Sequence, residues 1–335
     1  MSVTKQKNRI EWIDIMRSFA IVMVLLAHYD GGRLSIFANR ACVQIFFFIS
    51  GIFAVSSSYT VWQYIKKQAK ALLLPYGVFA VVNIAFHYLF NPSTPISKIA
   101  EYGTNFLLAR RNEVMVAAMW FLPCMFFASV VYKILVRVVK KQKIIVPLCF
   151  VVSAVFKIWF ESPIYIFSVN QGLKYLIYLA LGGLLSPYIK NISFDSFKNL
   201  TGKQRAVMAC IFVLVCCYIF VLYKRGYVFW PQAIWALSLV YFVNVFISII
   251  FVMVLAVCLS KVKPIVWVGQ NTLGFCCLEN INRALLNTAM AVAGFGFAPN
   301  SEIKALVHVA ASMCIGSVII FVINKFCPQL LGKKR

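Results

Sequence analysis

Apolar runs of roughly twenty residues recur along the whole sequence, separated by short polar and basic stretches. A helix needs about 20 such residues to cross a bilayer, whereas a barrel strand alternates over about ten. The pattern predicts an all-α fold, a polytopic integral membrane bundle of about ten transmembrane helices. The spans fall at roughly 12–30, 41–58, 71–90, 117–137, 144–160, 173–189, 206–223, 232–259, 271–293 and 305–326. The run at 232–259 is long enough to tilt or to hide an interfacial segment. No linker or internal repeat interrupts the series, so 1–335 reads as one transmembrane domain. The missing repeat weighs against a transporter built from inverted halves.

The first run, IEWIDIMRSFAIVMVLLAHYD from Ile10 to Asp30, breaks the apolar pattern with Asp14, Arg17 and His28. Eleven steps of 100° bring His28 back to within about 20° of Arg17, roughly 16 Å further along the helix. Asp14 lies one turn before Arg17 on the same stripe, where the two can pair. Charges inside a span cost a few kcal/mol and usually face a protein interior or a watery cavity. Two readings follow: an interfacial pair that orients the helix with a histidine reaching the far surface, or a polar stripe lining a cavity.

Composition supports the membrane class. The 335 residues are 62% apolar and only 13% charged, about half the charged share of a soluble domain. The net charge of +24 would suit nucleic acid if clustered, but the basic residues sit at span ends and in short loops, and no nucleic-acid motif is present. They read instead as topology signals and contacts with anionic membrane lipids. With the N-terminus inside, 21 Lys and Arg fall in inner segments and 10 in outer ones, leaving Arg17 and Arg283 within spans. That split predicts both termini cytoplasmic. The basic start MSVTKQKNR resembles a signal peptide, but no small-residue cleavage site follows Ala27, so the run reads as a retained first span. The eleven cysteines lie almost entirely in apolar runs without CxxC or Cys/His spacing. They act as small apolar residues, and neither a metal site nor a disulfide framework is expected.

On this topology His28, His87 and His308, the three histidines of the chain, all lie near the outer face. Residues 91–116 form the longest outer segment and carry Glu101, Arg110, Arg111 and Glu113. A long loop is often functional, with a solvated connector as the plain alternative. Trp120 and Phe121 read as bundle packing or an aromatic belt. Glu279 and Arg283 are spaced to pair within one helix.

Several strings appear in a fixed order: Arg17, ten residues, His28; CVQIFFFISGIFAVSSS with Ser50–Gly51; YIKKQAKALLLPYGVF with Pro75–Tyr76; MWFLPCMFF; LALGGLLSP; and WVGQNTLGFCCLE at 267–279. Together they resemble the acyltransferase 3 family of membrane acyltransferases, over about 10–325. The match is to its smaller branch without an appended domain, which includes polysaccharide O-acetyltransferases such as fucose 4-O-acetylase-like proteins. Two departures stand out. Lys67 and Lys70 occupy an inner loop where the family often has Arg, and Lys binds phosphate as a point charge without Arg's fork. Glu279 stands where the family commonly has His.

The resemblance implies a multi-pass enzyme of the cell membrane, with acetyl-CoA as acyl donor and no metal. It would transfer acetyl to a hydroxyl of a cell-surface glycan or lipid-linked sugar. His28 is then the expected general base, since histidine titrates near neutral pH. Arg17, Lys67 and Lys70 are the expected partners of the donor's phosphates. Glu113 and Glu279 are the expected acceptor-binding residues. A transporter or flippase of a lipid-linked sugar is the alternative.

Overall fold

A computed structural model describes residues 10–29, 31–111, 113, 115–160, 166–189, 192, 201–225, 234–294 and 301–333. The basic residues Lys5, Lys7, Arg9, Lys190, Lys198, Lys334 and Arg335, which enter the orientation count, lie outside them. The described residues are helical with no strand, as the apolar runs require.

Among the described residues, seven helices are long and apolar enough to cross a membrane, or eight if the bent pair Ile166–Lys174 and Leu176–Ile189 counts as one broken span. A count of ten is reached only if two further helices cross as well. These are α1 (Glu11–His28) and α14 (Thr272–Val292). Their 18 and 21 residues give about 27 and 32 Å of helix, enough for a bilayer core. They are also the helices interrupted by Asp14 and Arg17, and by Glu279 and Arg283.

Helix α1 is the central strut. It touches α2 (Gly32–Asn39), α3 (Cys42–Val55), α12 (Ile234–Cys258), α13 (Lys263–Gln270), α14 and α15 (Glu302–Phe326). Ile13, Ile15, Met16, Ala20, Ile21 and Leu25 are all buried. By contrast α11 (Gly202–Arg225) touches only α2 and α12 among the larger contacts and leaves many of its apolar side chains exposed. An apolar exposed face of that kind is solvated by lipid.

Glycines set the closest approaches, and they sit in the recurring strings. A Cβ on Gly51 of α3 would lie 2.0 Å from the Leu179 carbonyl oxygen of α10 (Leu176–Ile189). One on Gly182 would lie 2.0 Å from that of Phe48. Only hydrogen atoms fit between these two backbones, the small-residue packing favoured where lipid removes the hydrophobic drive between helices. Gly269 does the same for α13 and α1, where a Cβ would lie 1.7 Å from the Asp14 carbonyl oxygen.

Two segments differ from the reading by apolar runs. The third span begins earlier than residue 71, because α4 (Val61–Gln68) runs without interruption through a π turn (Ala69–Leu73) into α5 (Leu74–Phe90). A Thr60–Gln63 capping box starts it. Pro75 explains the π turn, since its ring has no N–H to donate and clashes with the carbonyl four residues back. The segment 91–116 is no solvated loop either. It contains α6 (Ile96–Leu108), and Tyr76 on the first turn of α5 donates to the Phe106 carbonyl at 2.5 Å. Helix α6 therefore folds back along α5, and Ala109, Met115 and Val116 are buried beyond it.

Candidate active site

The polar stripe of α1 lines two cavities. Arg17, Ile21 and Val24 contribute to a small one of about 320 Å³. Val24, Ala27 and His28 contribute to a large one of about 1220 Å³. Val24 and Phe121 line both, so the cavities adjoin at that pair. The eleven-residue spacing thus has a physical use: one helix face serves two chambers, with the cation in one and the imidazole in the other.

Arg17 is fixed from behind. Its Nη1 donates to Asp14 Oδ1 at 3.0 Å, and Gln270 Nε2 donates to Asp14 Oδ2 at 3.4 Å. Asp14 is 1% exposed, while the Arg17 side chain keeps 29% and lies 5.9 Å from the centre of the Phe53 ring. A buried carboxylate beside a half-exposed guanidinium holds the cation in place. Lys67 lines the same cavity, with its ammonium 4.6 Å from the Tyr59 ring centre. Lys70 is exposed in the π turn and lines neither cavity.

His28 ends α1. Its Nδ1 lies 2.7 Å from the Val24 carbonyl oxygen. A carbonyl only accepts, so Nδ1 carries the proton and the neutral ring keeps its lone pair on Nε2. That is the tautomer a base requires. His87, at the end of α5, lines the same large cavity. His308 lines neither cavity but stacks on Tyr29 at 4.8 Å, and Tyr29 Oη meets Ser312 Oγ at 2.6 Å. The three histidines gather at one end of the bundle, as the order of spans predicts.

The expected acceptor residues separate. Glu113 lines the large cavity. Glu279 is fully buried and lines neither. Its Oε1 lies 3.6 Å from Arg283 Nε, and neither oxygen receives a hydrogen bond among the described residues. It is Arg283, one turn on, that reaches the cavity. Other residues at the site did not stand out in the sequence: Lys98, Tyr102 and Asn280 line the large cavity, and Gln270 grips Asp14. Asn280 had a signal, since it shares a helix turn with Arg283, accepts from its Nη2 at 3.2 Å and donates to Asn83 at 3.3 Å. Outside the spans, Lys98 donates to both oxygens of Glu101 at 2.8 Å, and that bond holds its ammonium above the usual lysine range. No cluster of His, Cys, Asp and Glu fit for a metal occurs among the described residues.

Two adjoining cavities, each with an arginine among largely apolar walls, lie within the helical bundle. Residues 10–324 match the sequence model of a family described as an acyltransferase domain, Acyl_transf_3. The chain belongs to this acyltransferase family. The match spans both cavities and every recurring string, so the fold described above is that of a multi-pass membrane acyltransferase. No curated protein and no solved structure matches the chain. Site assignment for this acyltransferase therefore rests on its own geometry.

Proposed function

We propose that this acyltransferase moves an acetyl group from acetyl-CoA to a hydroxyl of a cell-surface glycan or lipid-linked sugar, with His28 as general base. The observation that carries the reading is the pair of adjoining cavities that share Val24 and Phe121, one lined by Arg17 and the other by His28. The small cavity fits the donor's charged end. Arg17 and Lys67 supply cations for its phosphates, with Lys70 outside the mouth. The roughly 16 Å of helix rise between Arg17 and His28 is a span that an extended pantetheine arm covers.

At the junction His28 does the proton work. Its Nε2 takes the proton from the acceptor hydroxyl as that oxygen bonds to the acyl carbon. The carbon–sulfur bond then breaks, and the imidazolium returns the proton to the departing sulfur. The tautomer fixed by the Val24 carbonyl keeps Nε2 free for both transfers. Glu113 lines the acceptor's side, and Glu279 acts there through Arg283. The donor is cytoplasmic, so the small cavity faces inward, the large one outward, and both termini lie inside at the cell membrane. Anionic lipids match the basic inner segments.

The test is transfer of radiolabelled acetyl from acetyl-CoA by the purified full-length protein, with His28→Ala alongside. Loss of transfer in that variant with coenzyme A still bound supports the reading. Near wild-type transfer removes His28 as the base. A lipid-linked sugar flipped across vesicles without transfer favours the alternative, a flippase using the same passage. Sidedness has its own check: cysteines placed at Ser58 and Ser97 should label from opposite sides of sealed vesicles.

A further inference from the structure

The charges lining the large cavity are sorted by sign. Glu101 is taken up by Lys98, both of its oxygens receiving the ammonium at 2.8 Å, and Glu113 also acts on Lys98. The acids therefore gather around one lysine. Arg111, two residues before Glu113, has its guanidinium over the Trp120 ring, 5.0 Å from its centre, and forms no ion pair with an acid among the described residues. Its charge is felt by Cys42 and Tyr175, which are buried beside the cavity. Arg283 is anchored by Glu279 on Nε and by Asn280 on Nη2. Its Nη1 has no hydrogen bond among the described residues, and its side chain stays 23% exposed.

A guanidinium over an aromatic face is attracted to it but not neutralised. A cation without an acid partner in a cavity inside the bundle is suited to an anionic visitor. An arginine fork matches carboxylate or phosphate by two parallel bonds. We propose that the acceptor entering the large cavity carries an anionic group, a carboxylate or a phosphate, bound by Arg111 on Trp120 and by Nη1 of Arg283. The inference rests on the reading of this cavity as the acceptor's. It sharpens the acceptor class from sugar to acidic or phosphorylated sugar.

The experiment measures sugar binding to the purified full-length protein in neutral detergent, with saturating coenzyme A present to fill the small cavity. The probes are glucuronate, glucose 1-phosphate, glucose and glycerol phosphate. Glucuronate and glucose 1-phosphate should each bind at least about tenfold more tightly than glucose, the scale of one charge-assisted contact. Arg111→Gln should erase that preference. So should the double variant Glu279→Gln with Arg283→Gln, which removes both charges of the buried pair and avoids leaving one stranded. Arg33→Gln should leave the preference intact. Equal or absent binding of the sugars, or a preference that survives in both arginine variants, overturns the proposal. Glycerol phosphate binding as tightly as the acidic sugars assigns the site to a lipid headgroup and overturns it too. A protein that shows the preference yet transfers no acetyl when supplied with acetyl-CoA fails the enzymatic reading alone.

Discussion

The two cavities are each furnished with an arginine backed by a buried carboxylate on the same helix, and the two pairs are built differently. Asp14 meets Arg17 at 3.0 Å and Gln270 at 3.4 Å, so both oxygens are engaged. Glu279 meets Arg283 only at 3.6 Å, and neither oxygen receives a hydrogen bond among the described residues. Helix α13 is brought against α1 by Gly269, which is what lets Gln270 reach Asp14. Among the described residues no side chain donates to Glu279 in the same way. The small cavity therefore holds its cation rigidly. The large one holds its guanidinium by Asn280 at 3.2 Å and the longer Glu279 contact, which leaves Nη1 for a ligand. That contrast suits a constant donor on one side and a variable acceptor on the other.

The strongest way to break this division is His28→Ala. On the proposed mechanism it removes proton transfer alone, so kcat should fall by about 10²–10⁴-fold. Coenzyme A binding, measured by titration, should stay within a factor of two or so, because the phosphates lie roughly 16 Å away by helix rise. Matching losses in kcat and in coenzyme A affinity would mean that the two cavities do not divide the labour.

Arg17→Gln is next in size. Losing one charge-assisted contact, worth about 1.5–3 kcal/mol, should raise the acetyl-CoA KM by roughly 10–100-fold with kcat little changed. Asp14→Asn asks whether the backing carboxylate matters. The amide keeps the shape and the Gln270 contact but loses the ion pair, so the KM should rise by about threefold to tenfold. An Asp14→Asn protein with an unchanged KM would reduce the pair to a device for seating α1.

Much of this arrangement was legible in the sequence. Charges in an apolar run stand out, and their eleven-residue spacing fixes a common face on any helix, so Arg17 and His28 could be read as a pair. The glycines of FISGIF, LALGG and WVGQ were legible as marks, though not as contacts, since a close approach depends on which backbone lies opposite. Other features depend on tertiary direction. Helix α4 is short, and Lys66 and Lys67 lower its apolarity, so the run appeared to start only at residue 71. Helix α6 hides because its apolar positions serve a fold-back along α5 rather than a span. Which of Glu279 and Arg283 reaches the cavity depends on the rotation of α14, and periodicity alone does not set that.

Lys67 and Lys70 give the smallest expected effect and the sharpest test of local geometry. Three residues apart on a regular α-helix, they would share a face, and both would be expected at the donor's phosphates. The π turn at Ala69–Leu73, forced by Pro75, widens the helix between them and alters that phase. Lys67 consequently lines the small cavity over Tyr59, whereas Lys70 points away into the surroundings. Lys67→Gln should raise the acetyl-CoA KM by about threefold to tenfold, less than Arg17→Gln because an exposed ammonium is better solvated. Lys70→Gln should stay within about twofold, an effect no larger than a screened surface charge produces. Raising the salt concentration separates the two further, since the residual Lys70 effect should vanish while that of Lys67 persists. Equal shifts for the two lysines would mean that the helix keeps regular α phase through this turn when the donor is bound.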